Sequence, residues 1–286
     1  MTTAFVLSGG AALGAAQAGM LLALAEAGIA PDLIVGTSVG AANGAWLAAA
    51  PHAAGVRALA DLWRAIDSDD VFPRNPVTGL LGFLGRRRHL VPDRGLRHLV
   101  SNNVRFEQLE DAPIPLHVVV TDVLSGEDVC LHTGDTVDAV VASASIPAVL
   151  PPVRIGDRYY MDGGVVNNTP ISHAVDAGAD TVWVLSTGYA CALREPPPSA
   201  LAMALHALTL TVNQRLAVDV ARYEGAIDLR VVPPLCPIRT TPADFGASAE
   251  LIGRAHEATS VWLRSSHPRL NQASLLRPHR HRGSSS

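Results

Sequence analysis

The stretch that most restricts how this chain can fold is Ile34-Val35-Gly36-Thr37-Ser38-Val39-Gly40-Ala41-Ala42-Asn43. A β-branched apolar run, suited to a strand, is broken by Gly-Thr-Ser-Val-Gly and passes at once into small residues suited to a helix. Gly-x-Ser-x-Gly between a strand and a helix is a sharp turn that pushes one side chain into a strained, exposed position. The following helix's N-terminus favours an anion beside it. Ser38 is therefore the first candidate nucleophile. The five-residue pattern alone is weak, because it also arises by chance in a Gly- and Ala-rich chain.

The surrounding order carries more weight. Residues 4–7 read as a short apolar strand ending in Ser8-Gly9-Gly10-Ala11-Ala12-Leu13-Gly14. A helical run extends to about Ala27, with Gly28 just past its end. Residues 33–35 form a second strand, residues 39–50 a helix apolar on all sides and therefore buried, and another helix reaches about Ile66. This alternation predicts an α/β fold: three layers, α/β/α, around a mainly parallel central sheet. Downstream, strands are expected at 116–123, 128–132, 153–160, 181–186 and 229–232. Helices are expected at 137–145, from Thr169-Pro170 as N-cap and first helical residue, at 200–223 and at 247–263. With no repeat or linker evident, residues 1–265 read as one domain and the polar residues 266–286 as a disordered tail.

Composition narrows the chemistry. Hydrophobic residues make up 48% of the 286, enough for a sizeable core, and a net charge of −4 gives no case for a nucleic-acid partner. No lysine occurs, which removes Schiff-base chemistry, Ser-Lys dyads and a P-loop lysine together. Cys130, Cys191 and Cys236 stand apart without a Cys-x-x-Cys, so neither a disulfide framework nor a zinc site is expected and a reducing, cytoplasmic setting fits. The uncharged N-terminus lacks a positive n-region and is interrupted by Ser8-Gly9-Gly10, which argues against both a signal peptide and a membrane span. An apolar tip, Leu80-Leu81-Gly82-Phe83-Leu84, runs into Arg86-Arg87-Arg88 and is suited to peripheral contact with a lipid surface and its anionic headgroups. The simpler account is an insertion packed on the domain with its arginines solvated.

A serine nucleophile needs a proton acceptor and something to hold the oxyanion. The loop from Gly9 to Gly14 follows a strand and opens a helix, so its N–H groups should point off the same sheet edge as Ser38. Read as a dinucleotide loop, it has Ala11 at the central glycine, and Gly36-Thr37-Ser38 stands where the ribose-binding acid should be. Read as a Walker A loop, it fails at Ala15-Ala16. For the base, a Ser…Asp/Glu…His order has His206, His256 and His267 available, but in that fold the elbow follows several strands, not one strand and one helix. None of these histidines stands at an obvious strand end, and His173 reads as solvent-facing. An aspartate at a strand end is the alternative. Asp162 before Gly163-Gly164 and Asp122 at the end of the strand at 116–123 both qualify by pattern. The two glycines incline the choice to Asp162, while Asp122 is equally explained as a turn former.

With these pieces in place, the chain resembles the patatin-like phospholipase family of lipid acyl hydrolases. The resemblance runs from about Ala4 to Leu263 and rests on four segments in order. These are Leu7-Ser8-Gly9-Gly10 with Gly14, Gly36-Thr37-Ser38-Val39-Gly40, Ala142-Ser143-Ala144-Ser145-Ile146-Pro147 and Asp162-Gly163-Gly164. It implies a lipid or other ester substrate, no metal or cofactor, and a Ser-Asp dyad with Ser38 as nucleophile and Asp162, rather than Asp122, as base. It also implies that Gly9, Gly10 and Ala11 supply oxyanion-binding N–H groups. Two departures stand out. Ala11 replaces the family's third glycine, which keeps the N–H but narrows the backbone angles. Leu13 replaces a basic residue, which makes a neutral ester or short-chain lipid more plausible than a phospholipid. A catalytically weak lipid-binding or regulatory protein and an acyltransferase are the alternative expectations. A carboxylate with a pKa near ~4 is a weak base for a hydroxyl, so partial desolvation of Asp162 is expected.

Overall fold

The computed structural model describes residues 1–72, 89–188, 195–238, 240–265 and 276. The apolar tip and arginines at residues 80–88, and the tail from residue 266 apart from Leu276, lie outside the described residues.

Strand β1 (Thr3–Leu7) passes through a 3-10 turn at Ala11–Gly14 into α1 (Ala15–Glu26), and β2 (Leu33–Thr37) leads directly to α2 (Val39–Ala49). Helices α3 (Ala53–Ala65), α4 (Ser68–Val71) and α5 (Arg94–Asn103) precede β3 (Leu116–Asp122) and β4 (Asp128–Leu131). Helix α6 (Thr136–Ser143), strands β5 (Val153–Ile155) and β6 (Arg158–Asp162), and helix α7 (Ile171–Asp176) follow. Strand β7 (Thr181–Leu185), the long helix α8 (Ala200–Tyr223), β8 (Asp228–Val231) and α9 (Ser248–Arg264) complete the described elements.

Among the described residues the strands form one sheet in the order β5-β6-β3-β2-β1-β7-β8, with β4 on β3. The five strands from β3 to β8 along that order are parallel. Because side chains alternate along a strand, both faces are apolar. Phe5 and Leu7 pack under α1, α2 and α9 on one side, and Ala4 and Val6 pack with residues of α7 and α8 on the other. The three-layer expectation therefore holds.

One feature of the register positions the site. Strand β4 takes one side of β3 from Val118 to Thr121, so the other side is shared. Strand β2 pairs there up to Val119, and the antiparallel β6 pairs from Val120 onward. The two strands meet end to end. That arrangement depends on a hairpin the pattern at 153–160 did not resolve. The expected single strand turns at Gly156, where φ is 62°, and returns as β6 running toward β2.

Two smaller expectations are corrected. Pro170 occupies the N-cap of α7, one place earlier than its expected first helical position. Cys236 is disulfide-bonded while Cys130 is free, which removes the cysteine argument for a reducing compartment.

Candidate active site

Ser38 lies between β2 and α2 with φ 56° and ψ −126°, a conformation that costs an L-residue on the order of 1–3 kcal/mol. Its surroundings hold it there. The Ser38 N–H donates to Ser143 Oγ at 2.8 Å, and Ser143 Oγ donates to Val119 O at 2.6 Å. Its carbonyl accepts from Ala41 N–H at 2.9 Å, closing the first turn of α2. A Cβ on Gly40 would stand 2.2 Å from Leu7 O, so only glycine lets α2 begin against the end of β1.

Asp162, at the end of β6, meets this turn. Ser38 Oγ donates to Asp162 Oδ2 at 2.7 Å, and both residues are buried, at 5% and 6% exposure. Asp162 Oδ1 accepts from Gly164 N–H at 2.7 Å, its backbone N–H donates to Ser145 O at 3.0 Å, and its carbonyl accepts from Thr121 Oγ1 at 3.0 Å. Burial raises its pKa from 3.8 to about 6, against the smaller lowering by the hydrogen bonds from Ser38 and Gly164. A Cβ on Gly163 would stand 2.2 Å from Val119 O, which accounts for the first glycine after the aspartate. The pair is thus a hydroxyl bonded to a carboxylate of raised basicity at the N-terminus of a helix. Such a pair can pass a proton and leave a nucleophilic oxygen.

The glycine-rich loop lies against this pair, since a Cβ on Gly9 would stand 3.0 Å from Ser38 Cβ. Its N–H groups are not equivalent. Gly9 N–H donates to Asn168 O at 3.1 Å, and Gly9 O accepts from Thr187 Oγ1, so the expected role of Gly9 as an oxyanion donor is corrected. Gly10 and Ala11 N–H have no hydrogen-bond partner among the described residues. Ala11 takes φ 48°, so the non-glycine residue in this loop sits in the left-handed region. Leu13 is buried in the core and does not line the cavity described below.

The other sequence candidates are elsewhere. Asp122 Oδ1 accepts from Leu124 N–H at 2.9 Å and Ser125 N–H at 3.0 Å, the turn-forming role, and these bonds lower its pKa. His256 pairs with Glu26 at 2.7 Å, and His206 is on the exposed part of α8. His173, expected in solvent, is 18% exposed and pairs with Asp128 at 3.0 Å. His267 lies outside the described residues. Among the described residues no histidine bonds to Ser38 or Asp162.

Residue-by-residue reading missed the supports: Ser143 under the Ser38 N–H, Asn168 and Thr187 on Gly9, and Thr37 Oγ1 donating to Asn167 O at 2.9 Å. The only advance signal was the segment Ala142-Ser143-Ala144-Ser145-Ile146-Pro147, which carried no assigned role.

Ser38 and Ala11 open onto a cavity of about 790 Å³ including its mouth. One face of α2 lines it through Val39, Ala42, Asn43 and Trp46, a spacing of three and four residues, and Trp63 and Phe245 close its wall. The polar atoms of Asn43 are turned into the protein. Asn43 Nδ2 donates to Gln17 Oε1 at 2.9 Å, and Asn43 Oδ1 accepts from Trp63 Nε1 at 2.9 Å. Gln17 Nε2 in turn donates to Ser8 O and Leu185 O, both at 2.9 Å, so the cavity wall is tied to the glycine loop. The space left to a ligand is apolar, with the hydroxyl at its side.

A family model described as patatin-like phospholipase matches residues 5–175. Patatin-like phospholipase domain-containing protein 7 of Rattus norvegicus is 33% identical over 188 residues, covering 65% of this chain and 13% of that protein. An uncharacterized NTE family protein of Mycobacterium tuberculosis is 33% identical over 168 residues, covering 58% of this chain and 27% of its own. This chain thus spans a small fraction of the length of these relatives. Among solved structures, VipD from Legionella pneumophila aligns at a TM-score of 0.47 and 14% identity, over 91% of this chain and 67% of that one. By the family match over residues 5–175, the chain belongs to the patatin-like phospholipase family.

Proposed function

We propose that this chain is a serine lipid acyl hydrolase that cleaves carboxylic esters through a Ser38–Asp162 dyad and an acyl-enzyme. The observation that carries the reading is the buried 2.7 Å hydrogen bond from Ser38 Oγ to Asp162 Oδ2 at the wall of an apolar cavity. Family membership supports it.

The ester's acyl chain lies in the cavity lined by α2, and its carbonyl carbon lies at Ser38 Oγ. As Oγ bonds to that carbon, its proton passes to Asp162 Oδ2. The carbonyl oxygen becomes an anion held by the N–H groups of Gly10 and Ala11, each such donor being worth roughly 3–4 kcal/mol of barrier. Collapse breaks the ester C–O bond, and the leaving alkoxide takes the proton from Asp162. Water then attacks the acyl-Ser38 carbonyl, gives its proton to Asp162 and releases the fatty acid. Ser38 Oγ recovers that proton. One carboxylate serves as base and acid in both halves, which suits a pKa of about 6 better than an ordinary aspartate value.

The test is an ester panel, from short nitrophenyl esters to phospholipid vesicles, with fluorophosphonate labelling. Label is expected on Ser38, and Ser38→Ala should remove hydrolysis by about 10⁴-fold. An unlabelled Ser38, or full activity in Ser38→Ala, overturns the dyad. New esters formed with added acceptor alcohols would redirect the same acyl-enzyme to acyl transfer.

A further inference from the structure

Helix α8 is longer than the sheet it packs on. Its lower half is anchored, because Leu216 and Val220 are buried with Val182, Val184, Leu229 and Val231 of β7 and β8. Asn213 marks the level of the sheet's carboxyl edge, where its Oδ1 stands 2.9 Å from a Cβ placed on Gly188, past the end of β7. The helix runs against β7 and β8, so residues 200–212 project beyond that edge by roughly 20 Å at 1.5 Å per residue. Ser38 and Asp162 lie on the same edge.

The overhanging part is uncharged, and Met203, Ala204, Ala207, Leu208, Leu210 and Thr211 in it are exposed. No Asp, Glu or Arg occurs between Glu195 and Arg215. Met203, Leu208 and Leu210 are 46%, 36% and 49% exposed, on a side shared with Ala204 and Ala207. Charge returns on that same side once the helix reaches the sheet, with Arg215, itself paired to Asp219, and Arg222. A second apolar projection rises from the same edge. The turn after β3 presents Leu124 at 84% exposure, beside the exposed Arg158 of β6. Strands β3 and β7 are three positions apart in the sheet, about 14 Å, with β2 and its Ser38 between them.

We infer that the start of α8, with Leu124, is the surface by which this chain docks on a lipid aggregate, setting Ser38 toward the membrane. This rests on the lipid-hydrolase reading and adds how the substrate reaches the site. A lipid surface fits better than a second protein copy. An apolar end followed by arginines matches the change from acyl chains to phosphates with depth. Apolar projections on both sides of the serine would also leave a protein partner capping the site, whereas a lipid surface fills it with substrate. Among the described residues no helix is long and apolar enough to cross a membrane, so the contact is peripheral.

The experiment uses the full chain carrying Ser38→Ala, which separates binding from turnover, in flotation with vesicles of phosphatidylcholine and a minor fraction of phosphatidylglycerol. Vesicle binding is expected, and Leu208→Glu with Leu210→Glu should weaken it about tenfold or more, with a smaller loss for Leu124→Glu. In the background with Ser38 intact, these variants should keep hydrolysis of a soluble nitrophenyl butyrate. Absence of binding, or equal binding by the α8 double variant, overturns the proposal. So does a dimer that the double variant dissociates without any vesicle binding, which would assign the face to a second copy. Loss of butyrate hydrolysis in the parent chain would instead count against the dyad and leave the flotation result to be judged separately.

Discussion

Two adjacent strand–turn–helix units, β1 into α1 and β2 into α2, are built to the same plan and offer opposite chemistry. Each strand is parallel and buried, each helix is almost uncharged, and each turn holds one non-glycine residue at positive φ, Ala11 at 48° and Ser38 at 56°. The second turn is a single residue, so its side chain is presented to Asp162 while its own N–H is consumed by Ser143. The first is a loop, so its side chains turn into the core at Ala12 and Leu13 while the N–H groups of Gly10 and Ala11 have no partner among the described residues. In the proposed mechanism one unit works through a side chain and the other through backbone. The difference is decided by turn length, since the strands and helices are of one kind. It follows that the elbow should be intolerant of side-chain change and the loop tolerant of it wherever the N–H survives.

The sharpest contrast comes from the elbow's partner. Asp162→Asn should lower kcat/KM by roughly 10²–10⁴-fold, because Asn has one acceptor oxygen for Gly164 N–H, turns its NH2 to Ser38 Oγ as a donor and cannot take the hydroxyl proton. The same change should stabilise the fold at neutral pH. The carboxyl of Asp162 has its pKa raised by burial from 3.8 to about 6, so the folded state holds a proton that the unfolded state has released between those values. That contribution to stability is fully present below the unfolded value and is lost as pH rises through about 6. The full difference is at most roughly 3 kcal/mol, at 1.36 kcal/mol per unit. Urea titrations should therefore show Asp162→Asn gaining on the parent between pH 4 and 8. Activity of the parent should move the opposite way, rising about tenfold per unit up to roughly pH 6 and levelling above it. An advantage for Asn that does not change with pH would break the assignment of a buried, proton-holding carboxyl.

The join between the two units is the next test. Gly40→Ala places a methyl 2.2 Å from Leu7 O, where the obstacle is backbone and cannot swing aside, and should cost about 3 kcal/mol. Ser143→Ala is milder. It leaves the buried Ser38 N–H unpaired, for about 1–2 kcal/mol of stability by urea denaturation, and loosens the elbow, so kcat should fall while KM stays near the parent's. A fall in KM affinity with unchanged kcat would place Ser143 with the substrate and not with the turn.

These positions also mark how far the sequence could be read. Parallel order, helices on both faces and the elbow at Ser38 follow from local pattern, because strand-then-helix alternation and a tight Gly-Ser-Gly turn leave few other solutions. By pattern Asp162 was one of two strand-end aspartates, favoured by its two glycines and chosen over Asp122 by the family resemblance. Separating it from Asp122 needs the Gly156 turn, which reverses β6 along β3 and depends on pairing between residues distant in sequence. The sorting of the loop's N–H groups was hidden for the same reason. Gly9 is taken by Asn168, 159 residues away, and a pattern in Ser8-Gly9-Gly10-Ala11 carries no sign of it. That Leu13 is buried could not be read either, because a position in a loop does not say which way its side chain turns.

Ala11→Gly is the smallest effect and tests the loop's half of the comparison. At φ 48° an alanine pays about 1–2 kcal/mol that glycine does not, while glycine costs the unfolded chain roughly 0.5–1 kcal/mol more in ordering. The net is a stabilisation within about 1 kcal/mol of zero, visible as a small shift in the urea midpoint. The N–H is retained, so the oxyanion contacts survive and kcat for a soluble ester should stay within about threefold of the parent. A loop that worked through its side chain would not permit this. Ala11 also lines the cavity, and removing its methyl enlarges the wall beside Ser38, so any change should appear first in KM for the longest acyl chains. A large kcat loss would mean that the alanine, by restricting the backbone, holds the N–H in position, and the tolerance expected of the loop would then end at this residue.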